Sequence, residues 1–165
     1  MGLTAGQRRV VLGHPAGWIA TGFGSGLSPV APGTAGSLAA LLPWLALKEL
    51  SLAYYALALI LAFALGVWAC DWVVRKLLVA DPGYAVWDEF VGLWIALAPV
   101  AFVPGSWWWI AGGFILFRIF DIWKPWPVSW ADRSVGGGFG VMLDDAVAGA
   151  YAAIALILML RWETA

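Results

Sequence analysis

The chain is poor in charge. Lys, Arg, Asp and Glu make up 12% of its 165 residues, against about 25% in an ordinary soluble domain. Its net charge of −1 leaves no basic footprint, so nucleic acid is excluded as a partner. A single cysteine, Cys70, excludes an internal disulfide and reads as a packed core residue. The one histidine, His14, has no Ser, Cys or metal-ligand partner at a recognisable spacing and reads as a loop residue. Long apolar runs are also few. Only Leu50–Cys70 reaches the roughly 20 residues that a membrane crossing needs. No apolar stretch follows Arg8 and Arg9, so a cleaved signal peptide is not expected.

What is abundant points to lipid. Hydrophobic residues form 63% of the chain and thirteen are tryptophan, a residue that favours the membrane–water interface. A soluble fold of this length cannot hide so much apolar surface. The expected architecture is therefore all-α: one compact multihelical integral membrane domain over residues 1–165, with several short or half-spanning helices. Residues 22–37 (GFGSGLSPVAPGTAGS) read as a loop, with Thr34 or Ser37 as the N-cap of the next helix. Leu38–Leu47, Phe90–Val103, Trp107–Phe117 and Ala146–Leu160 are short apolar runs. Pro104 and Gly105 split the middle pair into a hairpin that leaves and returns. Arg75, Lys76, Arg118, Lys124 and Arg133 then share one face, opposite Lys48 and Arg161. The positive-inside rule makes the crowded face cytoplasmic. The glycine-rich loop joins that face only if Leu38–Leu47 is half of a hairpin.

Where charges are rare, their clustering carries information, because ionisable groups in membrane segments are costly. Asp88 and Glu89 abut one apolar run, and Asp144 and Asp145 open another. Arg118, Asp121 and Lys124 follow at i, i+3 and i+6, one stripe of a helix. Gathered carboxylates repel unless a cation joins them. Oxygen ligands with no His or Cys beside them suit Mg²⁺, Ca²⁺ or Mn²⁺ rather than zinc. Arg118 and Lys124 can hold a phosphate, so the set suits phosphoryl chemistry. Plainer readings stand beside this one. Arg118 and Asp121 can be an intrahelical ion pair, and the two acidic pairs can be solvated helix starts. Asp71, Arg75 and Lys76 read as a membrane-flanking cluster, and Asp81-Pro82-Gly83 as a turn. Gly33–Ser37 (GTAGS) can offer backbone N–H groups to an anion or pack tightly between helices. It lacks the lysine of a nucleotide-binding loop.

Taken together, Ala20–Ser37 (ATGFGSGLSPVAPGTAGS), Val86–Trp94 (VWDEFVGLW), Phe117–Val128 (FRIFDIWKPWPV) and Gly136–Gly149 (GGGFGVMLDDAVAG) resemble the four ordered blocks of the phosphatidylglycerophosphatase A family. That resemblance implies a bacterial inner-membrane hydrolase that takes the terminal phosphate from phosphatidylglycerophosphate, with a divalent cation and a site facing the cytoplasm. It implies Asp88, Glu89, Asp144 and Asp145 as ligands of Mg²⁺ or orienters of its water. Asp121 joins the metal shell or acts as a base. Arg118 and Lys124 bind phosphate, and Thr34 and Ser37 touch phosphate or cap the helix. Attack by a metal-activated water or by a carboxylate that becomes an aspartyl-phosphate are both open. A single histidine excludes phosphatases that use a phosphohistidine and a second His. A non-enzymatic divalent-cation carrier or membrane scaffold is the alternative from another class, but Arg118 and Lys124 would repel its ion.

Overall fold

The computed structural model describes residues 3–79, 82–102 and 107–163. Among them all regular structure is helical: α1 (Ala5–Leu12), α2 (Pro15–Ala20), α3 (Pro32–Leu47), α4 (Leu52–Leu77), α5 (Trp87–Ala101), α6 (Trp107–Trp123), α7 (Val128–Ser134) and α8 (Gly137–Glu163), with a 3₁₀ turn at Ser25–Leu27. The expected all-α architecture holds. Several boundaries differ from the sequence reading. The opening 20 residues contain two helices, α1 capped by Thr4 and α2 by His14. His14 accepts from the Ala16 N–H at 3.2 Å and stacks on Trp72 at 4.2 Å, a structural role. The glycine-rich segment is loop only as far as Ala31. Pro32 starts α3 at its first position, where a fixed φ and a missing N–H cost nothing. Thr34 and Ser37 therefore sit inside the helix and do not cap it. Asp81 and the Pro104–Gly105 break lie outside the described residues.

The last apolar run extends to the 27-residue α8, because Gly137 takes φ +70° and lets the helix begin there. Among the described residues, only α4 and α8 are long and apolar enough to cross a membrane. Much of the apolar surface of α4 points outward, with Leu57, Ile60, Leu61, Leu65 and Trp68 exposed.

Helix direction follows from the contacts. Trp44 late in α3 donates its indole N–H to the Tyr55 hydroxyl early in α4 at 3.2 Å, and Tyr55 donates to the Trp94 carbonyl of α5 at 2.6 Å. Trp94 in turn donates to the Ala40 carbonyl at 2.9 Å. So the chain runs out along α3 and back along α4, each packed on α5 rather than on the other, the out-and-back path that the sequence argument required for the glycine-rich segment to reach the charged end. By contrast, α5 and α6 pack together. In lipid, apolar surface alone does not join helices; close packing and interhelical hydrogen bonds do, at about 0.6–2 kcal/mol per bond.

The centre of the bundle is α8 against α5. A Cβ on Gly149 would lie 2.3 Å from the Gly92 carbonyl oxygen, and one on Gly92 would lie 2.7 Å from the Asp145 carbonyl oxygen. Only glycine permits these backbones to touch. A Cβ on Gly138 would likewise strike α4, 2.2 Å from the Val67 carbonyl oxygen and 2.3 Å from the Asp71 nitrogen. Asp71 accepts the Gly138 N–H at 3.3 Å and pairs with Arg75 at 2.8 Å, so it clamps α4 to the start of α8 as well as flanking the apolar run.

Candidate active site

The two glycine contacts decide where the acids meet. Asp88 and Glu89 precede Gly92 by one helical turn, and Asp144 and Asp145 precede Gly149 by about one turn, so backbone contact brings both acidic pairs together. Carboxylate oxygens of Asp88, Glu89 and Asp145 lie within 4.8 Å of one another. Asp144 and Asp145 are 7% and 3% exposed. They lie inside α8 rather than at its start, so the solvated-helix-start reading does not hold for them. Asp88 and Glu89 do occupy the first turn of α5, half-buried and facing the other acids.

A second layer comes from α6. Arg118 Nη1 pairs with Asp121 Oδ2 at 2.6 Å, stands 4.0 Å from Glu89 Oε1 and donates to Ser37 Oγ at 3.4 Å. The intrahelical pair exists, therefore, but the guanidinium also bridges α6 to α5 and α3. Ser37 Oγ in turn donates to the Gly33 carbonyl at 2.9 Å. Thr34 is half-buried in the first turn of α3.

Lys124 departs from the expected stripe. The helix ends at Trp123, and Lys124 follows with φ +47°, a left-handed conformation that costs a bulky residue about 1–3 kcal/mol. Pro125 stops the helix from continuing. The turn aims the ammonium across the cleft, where Nζ meets Asp144 Oδ2 at 2.7 Å and also the Asp132 carboxylate. Burial pulls the Lys124 pKa down, but Asp132 and Asp144 outweigh it and hold the amine above the ordinary lysine range. It stays charged throughout neutral pH.

Asp132 escaped the sequence reading. It sits alone in α7 with no acidic neighbour and no periodic partner. The available signal was the Pro125–Pro127 turn, which folds the chain back so that residue 132 can meet residue 124.

Asp88, Glu89, Asp121, Lys124, Asp132, Asp144 and Asp145 line a cleft of about 370 Å³, together with Gly83, Arg133 and residues Ser134–Gly137, whereas Arg118, Thr34 and Ser37 are not part of its lining. Its carboxylates are Asp88, Glu89, Asp121, Asp132, Asp144 and Asp145. Within it, Glu89 Oε2, Asp144 Oδ1, Asp145 Oδ2 and, beside it, Arg118 Nε are buried without a hydrogen-bond partner. Such orphans cost about 1–3 kcal/mol each, and more when charged. Water, a proton shared between neighbouring carboxyls or a bound cation can satisfy them.

Gly33 shows how closely the glycine-rich helix approaches. A Cβ there would lie 2.3 Å from Glu89 Oε1 and 3.2–3.3 Å from the Arg118 guanidinium. Gly33→Ala should lower turnover roughly tenfold with little change in thermal stability, since side-chain tips yield more cheaply than backbone. Phosphate release and unfolding temperature measured on one preparation test this; unchanged turnover would separate α3 from the site.

The model of the phosphatidylglycerophosphatase A family matches residues 18–160. A phosphatidylglycerophosphatase A from Escherichia coli is 47% identical over 147 residues, covering 89% of this chain and 84% of that one. One from Haemophilus influenzae is 41% identical over 156 residues, 94% of each chain. A Bacteroides thetaiotaomicron protein, provisionally named phosphatidylinositol-3-phosphatase, is 44% identical over 149 residues, 87% of this chain and 92% of that one. No solved structure matches.

Proposed function

Because the chain belongs to the phosphatidylglycerophosphatase A family, and so is a phosphatase, we propose that its acidic cleft hydrolyses the terminal phosphate of phosphatidylglycerophosphate, giving phosphatidylglycerol and inorganic phosphate. The observation that carries this reading is the meeting of Asp88, Glu89 and Asp145 with two cations close by: Lys124 in the cleft on Asp144, and Arg118 behind it on Asp121 and Glu89.

The donor set fits a hard divalent cation. It is all carboxylate, and the buried, unpartnered oxygens of Glu89 and Asp145 are what a cation would satisfy. Asp88, Glu89 and Asp145 would hold Mg²⁺, with Asp144 beside them. When bound, the ion offsets the mutual repulsion of the acids and stabilises charge on the phosphoryl oxygens as a Lewis acid.

The remaining work falls to the chain itself. Asp121 fixes the Arg118 guanidinium by a charge-assisted bond, so this carboxylate orients a phosphate-binding group. Lys124, held charged between two acids, faces the developing negative charge. In the proposed reaction water attacks phosphorus in line with the leaving glycerol oxygen. The unpartnered Asp144 Oδ1 accepts the water's proton, and solvent protonates the departing oxygen. A radiolabelled phosphoenzyme trapped on an aspartate would replace water attack by the covalent route.

The cleft sits at the end of the bundle that carries Arg75, Lys76, Arg118, Lys124 and Arg133, with Lys48 and Arg161 towards the other end. By the positive-inside rule, the proposal places the protein in the bacterial inner membrane with the cleft facing the cytoplasm. Detergent-solubilised protein should release phosphate from phosphatidylglycerophosphate with Mg²⁺ and lose at least about 99% of that release in excess chelator, as expected where a cation supplies several kcal/mol. Release from phosphatidylinositol 3-phosphate in place of this lipid would move the headgroup assignment. No release from either would remove the phosphatase reading and favour a cation carrier.

A further inference from the structure

The lipid proposed as substrate carries two phosphates: the terminal monoester that is cleaved, and a phosphodiester joining glycerol to the diacylglycerol. A site built only for the monoester would leave the second anion facing an excess of negative charge. Six carboxylates line the cleft, against Lys124 and Arg133. Lys124 is committed to Asp144 and Asp132, and Arg118 behind them to Asp121.

Arg133 differs from both. It lies in the last turn of α7, exposed at the cleft wall, and among the described residues it makes no ion pair. Neighbouring Gly136 is open, with nothing within 4 Å of an added Cβ, so the rim beside Arg133 has room for a ligand. The Val128 and Ala131 side chains of α7 are fully buried, which fixes the helix that carries Arg133 against the bundle. The adjacent surface is aromatic, with Trp126 and Trp130 exposed at 77% and 53%, the residue type that settles at headgroup depth.

Resting on the substrate reading above, we infer that Arg133 binds the phosphodiester of the lipid and so selects a substrate with two phosphates over a simple phosphomonoester. The acids and Lys124 hold the group that leaves; Arg133 holds the part that stays. A guanidinium suits this task because it donates two parallel hydrogen bonds to the two free oxygens of a diester. The competing role for a basic residue in a last turn is to complement the helix dipole. That role acts on stability and has no preference among substrates.

The test compares wild type, Arg133→Ala and Arg133→Lys in neutral detergent micelles with Mg²⁺. It measures KM and kcat for phosphatidylglycerophosphate, and the Ki of inorganic phosphate, which occupies only the monoester position. The alanine variant should raise KM about five- to tenfold, the range expected for one hydrogen-bonded charge at an open site. Its effect should lie in KM, with the Ki of phosphate unmoved and lysine restoring part of the loss. A parallel rise in KM and Ki would assign Arg133 to the monoester and overturn the inference. Unchanged KM would overturn it too, with the phosphatase reading intact. A wild type that releases no phosphate from this lipid would overturn the substrate reading and this inference with it.

Discussion

Asp145→Asn should abolish phosphate release while leaving the protein at least as stable as wild type when no divalent cation is present. Asp145 is 3% exposed, and its Oδ2 has no hydrogen-bond partner. Its carboxylate oxygens stand within 4.8 Å of those of Asp88 and Glu89. Asparagine keeps the shape and removes one charge from three that repel. If the cluster were only a packing feature, the substitution would be neutral for activity. If the cluster holds a cation, the variant loses a ligand and should lose at least about a thousandfold in kcat/KM, or ~4 kcal/mol of transition-state stabilisation. Thermal unfolding in chelator and in Mg²⁺ gives the second readout. Wild type should be stabilised by the ion, since a ligand that binds only the folded state raises its stability. Asp145→Asn should gain much less from Mg²⁺ and be no less stable than wild type in chelator. A variant that keeps a tenth of wild-type activity would take Asp145 out of the metal shell.

How much of this site the sequence could reveal depends on what makes a residue conspicuous. In a chain with so few charges, Asp88, Glu89, Arg118, Asp121, Lys124, Asp144 and Asp145 stand out because each opposes its apolar surroundings, and the structure brings all of them to one end of the bundle. The out-and-back path that carries the glycine-rich segment to that end was legible as a requirement of charge topology. Depth was not legible. The last apolar run reads as starting at Ala146, yet α8 begins at Gly137 and Gly138 packs against α4. Propensity disfavours glycine in helices by about 1 kcal/mol, but close backbone approach between helices needs it, and packing prevails. The same conflict hid the start of α3 behind Pro32 and Gly33. Asp132 was missed for a different reason: its partner Lys124 is eight residues away across a proline turn, and no helical or strand period links them.

The largest structural effect is expected from one methyl group on Gly149. In Gly149→Ala the new Cβ would lie 2.3 Å from the Gly92 carbonyl oxygen and 3.1 Å from its Cα. Both are backbone atoms of a packed helix, so no side chain can swing aside. The axes of α5 and α8 must part by several tenths of an ångström or more, at a cost of about 1–3 kcal/mol for overpacking. The chemical loss should be larger than the loss of stability. The contact lies one turn beyond both acidic pairs, so the wedge separates Asp88 and Glu89 from Asp144 and Asp145, and a misplacement near 1 Å can cost about 100-fold in rate. Gly112→Ala makes the same chemical change in α6, where the nearest atom to the new Cβ is Leu156 Cδ1 at 4.0 Å. That variant should match wild type in both unfolding temperature and phosphate release. Comparing the two, with activity normalised to folded protein, separates a general intolerance of methyl groups from a specific role for the α5–α8 contact. Gly149→Ala with normal turnover would mean that the acids are positioned by something other than this contact. A variant that unfolds less than a few degrees below wild type yet releases phosphate about 100-fold more slowly would show that the two glycines set the spacing on which the chemistry depends.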